Sequence, residues 1–342
     1  MATSSQAADA IIAPEDDDWA DDDSAIGNST LAGSTSSLAS SILKYRHENG
    51  RTYHSYKEGK YMLPNDESEM DRLDLLHHLC GLTFDNKLFL CPIDTKKVHR
   101  VLDSGTGTGI WAIDFGDENP QAQVIGVDLS PIQPQFVPPN VAFQVDDIEE
   151  PWTFSYKFDF IYSRRMHGSI KSWPRFFGQA FANLNPGGWI ECCDGILPMR
   201  TDDNSFPENS ALKRWGDLMV DVMSESKFGR PLDSALHYES QLAAAGFKNI
   251  VVLDYKWPTN RWPKDKKLKE FGMWNNSNLV EGIAGLSTAA CTRLCGMSLQ
   301  ETETFMEDCR KELNDTRIHA YWPLRVVYGQ KPEAPSSMDT KE

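Results

Sequence analysis

The stretch Val101-Leu-Asp-Ser-Gly-Thr-Gly-Thr-Gly109, followed by Asp128 at the end of the next apolar run, decides the fold of this 342-residue chain. An apolar strand brings Asp103 to a glycine-rich turn, and the turn opens a helix whose free amide groups face a ligand. Glycines tolerate positive φ and allow the backbone to approach that ligand closely. A carboxylate about 20 residues later suits a ribose diol. The pattern predicts a nucleoside-cofactor site.

The glycine spacing separates two classes of nucleoside cofactor. In the dinucleotide fingerprint the third glycine follows the second by three positions, but Ile110 occupies that position here. The spacing therefore disfavours a NAD-dependent enzyme. Asp128 supports a nucleoside without choosing between the classes.

The rest of the chain alternates strand and helix patterns. This alternation predicts an α/β fold with a mainly parallel seven-stranded sheet covered by helices on both faces. The strands are expected near 99–103, 124–128, 141–145, 158–163, 188–193, 249–257 and 319–328. Helices are expected near 67–82, 109–118, 173–185, 207–226 and 234–245, and again between 264 and 315.

The same patterns divide the chain into four parts. Residues 1–41 are an acidic and then Ser/Thr-rich stretch with too little apolar surface to fold, so we expect a disordered tail. Residues 42–98 form a helical N-terminal cap segment, and 99–332 form the main domain with a helical insertion at about 259–316. A second disordered tail is expected over 333–342.

Four segments in order resemble the class I S-adenosylmethionine-dependent methyltransferases. They are the glycine-rich loop, Val141-Ala-Phe-Gln-Val-Asp-Asp-Ile148, Phe158-Asp-Phe-Ile-Tyr-Ser-Arg164 and Leu184-Asn-Pro-Gly-Gly188. The resemblance implies a Rossmann-like fold with S-adenosylmethionine as the methyl donor. It also implies donor contacts at Asp103, Gly105, Gly107, Gly109 and Asp128.

The third strand of the resemblance ends in two acids, one of which is expected to meet the adenine. Successive strand side chains face opposite ways, so Asp146 and Asp147 cannot both point at one ligand. We favour Asp147 with the neighbouring Ile148, and the alternative is Asp146.

A narrower resemblance covers about residues 42–332, and the family is that of the fungal LaeA-like methyltransferases. The matching motifs are Arg51-Thr-Tyr-His54, Tyr61-Met-Leu-Pro-Asn-Asp66, Gly105-Thr-Gly-Thr-Gly-Ile-Trp-Ala-Ile-Asp114, Gly126-Val-Asp-Leu-Ser-Pro-Ile-Gln-Pro134, Asp147-Ile-Glu-Glu-Pro-Trp152, Gly168-Ser-Ile-Lys-Ser-Trp173, Gly229-Arg-Pro-Leu-Asp233 and Ile318-His-Ala-Tyr-Trp-Pro323. One departure is Ser104, where the family usually has an apolar residue. A small hydroxyl there should be tolerated.

Methyl transfer from a sulfonium depends on positioning, and an oxygen acceptor also requires a base. His167 follows the fourth strand, where a base reaches substrate, and is the catalytic candidate. The alternatives are His54, Tyr162 and His237, or an amine or thiol acceptor that needs no base.

Charge and composition exclude several classes of protein. The net charge is −16, and the first forty residues carry eight acids and no lysine or arginine, which leaves −8 on the remainder. An acidic body predicts no direct binding of nucleic acid. The chain has no run of about 20 apolar residues, so no membrane span is predicted. Seven scattered cysteines predict a reducing compartment and no metal site.

Two functions from different classes are compatible with these patterns. The first is methylation of a small-molecule acceptor in fungal secondary metabolism, in the cytoplasm, with the aromatic-rich cap regions enclosing the acceptor. The second is a LaeA-type regulatory methyltransferase that acts with protein partners in the nucleus. The sequence favours the first modestly.

Overall fold

The computed structural model describes residues 45–333. The two predicted tails, 1–41 and 333–342, lie outside this range except for position 333. Within the range, no helix is both long and apolar enough to cross a bilayer. The domain boundaries drawn from the sequence stay a prediction.

The N-terminal segment contains a hairpin followed by a helix. Strands β1 (Arg46–Glu48) and β2 (Arg51–Tyr53) pair antiparallel, and Asn49 and Gly50 between them have φ values of 50° and 73°. An Asn-Gly pair with two positive φ values favours such a turn. Helix α1 (Glu67–Thr83) matches the prediction. The segment is therefore not wholly helical as predicted, and Asn-Gly was the signal for its hairpin.

The central sheet has seven strands, five of them in the expected parallel core. The strands are β3 (Arg100–Ser104), β4 (Gln123–Asp128), β5 (Val141–Val145), β6 (Phe158–Arg164), β7 (Leu184–Gly195), β8 (Lys248–Pro258) and β9 (Tyr321–Gln330). Their order is β5-β4-β3-β6-β7-β9-β8. Strands β3 to β7 pair in parallel, and β9 runs antiparallel to β7 and β8. The prediction of a mainly parallel seven-stranded sheet is confirmed.

The parallel strands are aligned at their carboxyl ends. Asp103 pairs with Gly126 on one side and with Tyr162 on the other, and Asp128 pairs with Val145. Strands β3 to β6 therefore end along one edge of the sheet. This alignment places the glycine-rich loop beside Asp128, at the edge where α/β proteins bind ligands.

Helices cover both faces of the sheet, as predicted. After α1 they are α2 (Ile110–Glu118), α3 (Trp173–Asn183), α4 (Ala211–Met223), α5 (Tyr238–Ala245), α6 (Lys266–Leu294) and α7 (Leu299–Leu313). Leu102 and Ile161 share an apolar cluster with α3, whereas Val101 and Phe160 share another with α2. Because successive strand residues face opposite sides, these clusters lie on opposite faces.

A third apolar cluster joins the N-terminal segment to the late helices. It contains Leu76 of α1, Trp215 of α4, Ile283 of α6, Met306 of α7 and Leu324 of β9. The predicted late insertion thus packs on α1, more than 180 residues away in the chain. This contact closes the space above one end of the sheet.

Two helices begin later than their patterns predict. Helix α4 begins at Ala211 rather than near 207, because Ser210 caps it by accepting the Lys213 N–H. The first residues of the predicted helix 234–245 form a 3₁₀ turn, Ser234–His237, ahead of α5. The proline-rich stretch 131–139 contains no helix.

Candidate functional site

A cleft of about 850 Å³ opens at the carboxyl edge of the sheet, and we call it the strand-end cavity. Five predicted site residues line it: Gly105, Gly107, Asp128, Asp147 and Ile148. They come from three strand ends that are separate in sequence. The aligned register of β3, β4 and β5 brings them together.

The glycine-rich loop requires glycine for reasons of both conformation and space. Gly105 and Gly107 have φ values of 73° and 57°, which side chains adopt at a cost. A Cβ at Gly105 would also overlap the sulfur of Met166. The departure at Ser104 is harmless, because its hydroxyl donates to the Tyr162 carbonyl at 3.0 Å.

Asp128 ties the loop to strand β4. Its Oδ2 accepts the Gly107 N–H at 2.9 Å, and its Oδ1 accepts the Ser130 N–H at 2.9 Å. Burial raises the pKa of Asp128 while these two N–H groups oppose the rise. Each carboxylate oxygen keeps a second acceptor position, which suits a pair of hydroxyl groups.

Asp103 and Gly109 lie behind the lining of the strand-end cavity. Asp103 is 3% exposed and accepts a hydrogen bond from Thr106 Oγ1 at 2.6 Å. Burial raises its pKa to about 6. Gly109 precedes α2 with a φ of 83°, and a Cβ there would overlap the ring of Phe143. Both residues shape the loop from beneath, and their direct contact with a ligand stays a prediction.

Asp146 and Asp147 both line the strand-end cavity, so lining alone does not separate them. The Asp147 carboxylate is already engaged: its Oδ1 accepts the Glu149 N–H at 3.0 Å, and its Oδ2 pairs with Lys60 from the N-terminal segment. Asp146 Oδ1 accepts the Asp147 N–H at 2.7 Å. Lys60 is a contact that the sequence did not predict.

A second cleft of about 740 Å³ adjoins the first, and we call it the apolar cavity. Three residues line both cavities: Tyr61, Leu73 and Arg165. Most of the other residues around the apolar cavity are aliphatic, aromatic or methionine side chains. Its remaining lining is Met62, Leu63, Arg72, Leu76, His167, Gly168, Leu197, Trp215, Met219, Met223, Leu232, Leu286, Ala290 and Trp322.

His167, the predicted base, lines the apolar cavity and is held by Asp194. Its Nδ1 lies 3.2 Å from Asp194 Oδ1, which also accepts the His167 N–H at 3.0 Å, and Tyr238 donates to Asp194 Oδ2 at 2.7 Å. A carboxylate at Nδ1 assigns the proton to that nitrogen and leaves Nε2 as the acceptor. Burial lowers the pKa of His167. The ring is thus oriented and neutral, as a base must be.

The other three candidate bases lie away from both cavity linings. His54 is 2% exposed, and Tyr162 is buried with its ring stacked 3.9 Å from Trp111. His237 is exposed at the end of the 3₁₀ turn. Of the four candidates, the geometry places only His167 in a cavity wall.

Arg165 lies where the two cavities meet, directly after strand β6. It has a φ of 59°, and its guanidinium carbon lies 5.0 Å from the ring centre of Trp322 and 5.6 Å from that of Trp257. Its Nη1 is enclosed and makes no hydrogen bond among the described residues. Neither Arg165 nor Asp194 was predicted from the sequence, although each lies at the end of a predicted strand.

Comparisons with known proteins agree with this geometry. A family profile described as a methyltransferase domain matches residues 75–252. Methyltransferase pytC of Aspergillus terreus is 40% identical over 300 residues, which are 87% of this chain and 92% of pytC. The probable methyltransferase tdiE of Emericella nidulans is 37% identical over 303 residues, 88% of this chain and 93% of tdiE. The protein-methionine methyltransferase laeA of Emericella nidulans is 36% identical over 293 residues, 84% of this chain and 77% of laeA.

The family profile spans the strands β3 to β7, which carry the glycine-rich loop and Asp128, and covers more than half of the chain. Each of the three relatives is more than 30% identical over 84–88% of the chain. The chain therefore belongs to the LaeA-like fungal methyltransferases, class I enzymes that take their methyl group from S-adenosylmethionine.

Proposed function

We propose that this methyltransferase acts on a small, largely apolar molecule in fungal secondary metabolism. The observation that carries the proposal is the apolar cavity of about 740 Å³, which adjoins the strand-end cavity at Tyr61, Leu73 and Arg165. Small-molecule sites are typically concave and mostly apolar, with a few polar groups that orient the ligand. An acceptor in this cavity lies beside the methyl donor.

The residues of the strand-end cavity fit S-adenosylmethionine. Gly105 and Gly107 leave room against the loop, and Asp128 offers two carboxylate oxygens to the ribose hydroxyls. Asp147 and Ile148 take the adenine end, and Asp103 and Gly109 support the loop from beneath. When bound, S-adenosylmethionine supplies a methyl group that is activated by its sulfonium charge.

His167 acts as the general base when the acceptor atom is a hydroxyl oxygen. Its Nε2 takes the acceptor's proton, and Asp194 stabilises the resulting imidazolium through Nδ1. Tyr238 holds the other oxygen of Asp194 and thereby keeps the carboxylate in place. The apolar walls exclude water, so water does not compete with the deprotonated acceptor oxygen for the methyl group.

The test has two steps. Calorimetric titration of the purified full chain with S-adenosylmethionine measures cofactor binding directly. The purified chain is then incubated with fungal extract and methyl-labelled S-adenosylmethionine. The fraction that becomes labelled shows which class of molecule the enzyme methylates. Label in the small-molecule fraction supports the proposal, and label confined to protein contradicts it.

A second candidate function is that of a LaeA-type regulatory methyltransferase. It is favoured by the relative laeA, which is named a protein-methionine methyltransferase, and by a relative named a secondary metabolism regulator in Cochliobolus heterostrophus at 37% identity. Protein partners and a nuclear location belong to this alternative, whereas a cytoplasmic location belongs to the first. Methyl label on protein would select it.

A further inference from the structure

The apolar cavity is cationic as well as apolar. Two arginines, Arg72 and Arg165, stand in its wall, and none of the described residues that line it is an aspartate or glutamate. Arg72 is neutralised by Glu69, whose carboxylate accepts two hydrogen bonds from it at 2.8 and 2.6 Å. The charge of Arg165 is therefore the one left facing the cavity without a carboxylate.

The groups that act on Arg165 electrostatically do not form an ion pair with it. Burial and Arg72 lower its pKa, whereas Cys80, Asp194 and Cys193 raise it, and the two oxygens of Asp194 are taken by His167 and Tyr238. Arg165 forms no ion pair with any described residue, although an arginine keeps its charge in a protein. Arg165 is partly buried, and holding a partly buried cation without a paired carboxylate is costly unless a ligand supplies one. The stacking on Trp257 and Trp322 recovers only part of that cost.

The position of the guanidinium group indicates which ligand supplies the counter-charge. Arg165 Nη1 and Trp322 Nε1 both lie 2.6 Å from the point that a Cβ on Gly195 would occupy, and neither nitrogen has a hydrogen-bond partner within residues 45–333. Trp322 lines the apolar cavity and does not appear in the lining of the strand-end cavity. The charged end of Arg165 thus lies on the acceptor's side of the junction.

We infer that the methyl acceptor is a largely apolar molecule that carries a carboxylate or another acidic oxygen group, and that Arg165 binds this anion. The inference rests on the proposed function, because it assigns the substrate class of the same cavity. Arginine suits this task because its planar fork matches the two oxygens of a carboxylate. Arg165 is then a specificity-determining residue, and His167 remains the base for the reacting hydroxyl.

The experiment compares two probes of nearly equal shape, 2-naphthoate and 2-naphthamide. Each is titrated by calorimetry into the full chain at neutral pH with saturating S-adenosylhomocysteine. Wild type should bind the carboxylate at least about tenfold more tightly than the amide, a typical difference for a charged hydrogen bond. Arg165→Met should abolish this preference, and Arg165→Lys should keep part of it.

The matched control is Arg100→Met. Arg100 also stacks on an aromatic ring, 4.5 Å from the centre of Tyr156, but it belongs to neither cavity lining, so its variant should keep the full preference. Far-UV circular dichroism and thermal melting show that each variant is folded, and Arg100→Met should also keep the wild-type affinity for S-adenosylhomocysteine.

Three outcomes would overturn the inference. One is a naphthoate that binds wild type no better than the amide, or not at all. Another is a preference that survives in Arg165→Met. The third is a loss of S-adenosylhomocysteine affinity in that variant, which would assign Arg165 to the cofactor's own carboxylate. The extract experiment tests the proposed function separately, because methyl label confined to protein would contradict that function whatever the two probes do.

Discussion

The two cavities share three wall residues and differ in almost everything else. Acids are frequent around the strand-end cavity, where Glu69, Asp128, Asp146, Asp147 and Glu149 contribute to the lining. The apolar cavity contains no described acid and is lined mainly by aliphatic, aromatic and methionine side chains. S-adenosylmethionine is a polar nucleoside with a sulfonium charge, so its site needs acidic and other hydrogen-bonding groups. The methyl-accepting substrate instead needs a cavity that excludes water. The contrast in lining therefore assigns cofactor binding to the strand-end cavity and substrate selection to the apolar cavity.

The cavities also differ in how the chain builds them. Most of the strand-end cavity is made by loops that follow β3, β4, β5 and β6, within about 70 residues of sequence, and the N-terminal segment adds residues between 60 and 73. The apolar cavity needs α1, α4, α6 and the start of β9 to pack together across more than 200 residues. Changes in the first should act on cofactor affinity, and changes in the second on turnover and acceptor choice.

The largest expected effect is a loss of turnover without a loss of cofactor binding, caused by a change in the apolar cavity. His167→Ala should lower kcat on the order of 1,000-fold for a hydroxyl acceptor, since general-base catalysis contributes about 100- to 10,000-fold. Its affinity for S-adenosylmethionine should be unchanged. Steady-state kinetics at saturating S-adenosylmethionine and calorimetry give the two readouts. His99→Ala, an exposed histidine at the start of β3, is the control and should turn over normally.

The pH profile of wild type gives a second readout for the same residue. The base is active when neutral, and burial holds the pKa of His167 below its ordinary value of 6.5. The midpoint of the acid-side fall in rate should therefore lie below pH 6.5. Full turnover in His167→Ala with retained cofactor binding would remove His167 as the base.

The next effect concerns the glycine-rich loop. Gly105→Ala should weaken S-adenosylmethionine binding on the order of 100-fold, about 2.8 kcal/mol, because alanine is strained at this positive φ and its Cβ displaces the Met166 side chain, which lines the same cavity. Gly296→Ala shares the positive φ, at 69°, but has nothing within 4 Å of the new Cβ. It should show only a small loss of stability, and wild-type affinity in both variants would refute the crowding argument.

A smaller effect is expected at the strand end that follows. Asp128→Asn should weaken S-adenosylmethionine binding about tenfold, because the amide keeps one acceptor oxygen and replaces the other with a donor. Asp117→Asn, at an exposed position on α2, is the matched control. Calorimetry measures both. Equal affinity in Asp128→Asn and wild type would show that the ribose does not use this carboxylate.

The smallest effect tests whether the N-terminal segment closes over the cofactor. Lys60→Met should raise the dissociation rate of S-adenosylhomocysteine about threefold, since half-exposed ion pairs contribute about 0.2–1 kcal/mol, and salt should reduce the difference. Lys57→Met removes a neighbouring exposed pair with Glu150 and should have no such effect. Stopped-flow fluorescence follows the release. A salt-independent change would contradict an electrostatic closure.

The sheet and the strand-end cavity were largely predictable because their signals are local. Each strand is a short apolar run, and its parallel pairing fixes where its end must lie. Five of the seven predicted cofactor residues consequently meet in one lining. The hairpin near Asn49 and Gly50 was missed because its strands are three residues each, too short for a pattern to appear.

The contacts that join distant elements were not predictable in the same way. Lys60 meets Asp147 across 87 residues, and His167 meets Asp194 across 27. A single sequence contains no signal for such pairs, because their distances depend on how helices and loops pack over the sheet. The sequence shows that residue 165 is an arginine. Only the structure shows that no carboxylate of the described residues pairs with it.

The sequence by itself determined the methyl donor's site, because a glycine-rich loop and an acid at the next strand end are local features that parallel pairing aligns. Only the tertiary structure decided the acceptor's side. There, the packing of α1 against α6 encloses an apolar space, Asp194 orients His167 in its wall, and Arg165 lies at the junction with no carboxylate paired to it among the described residues. The physical reason is that burial and pairing belong to the whole fold, whereas turn conformation belongs to a few neighbouring residues.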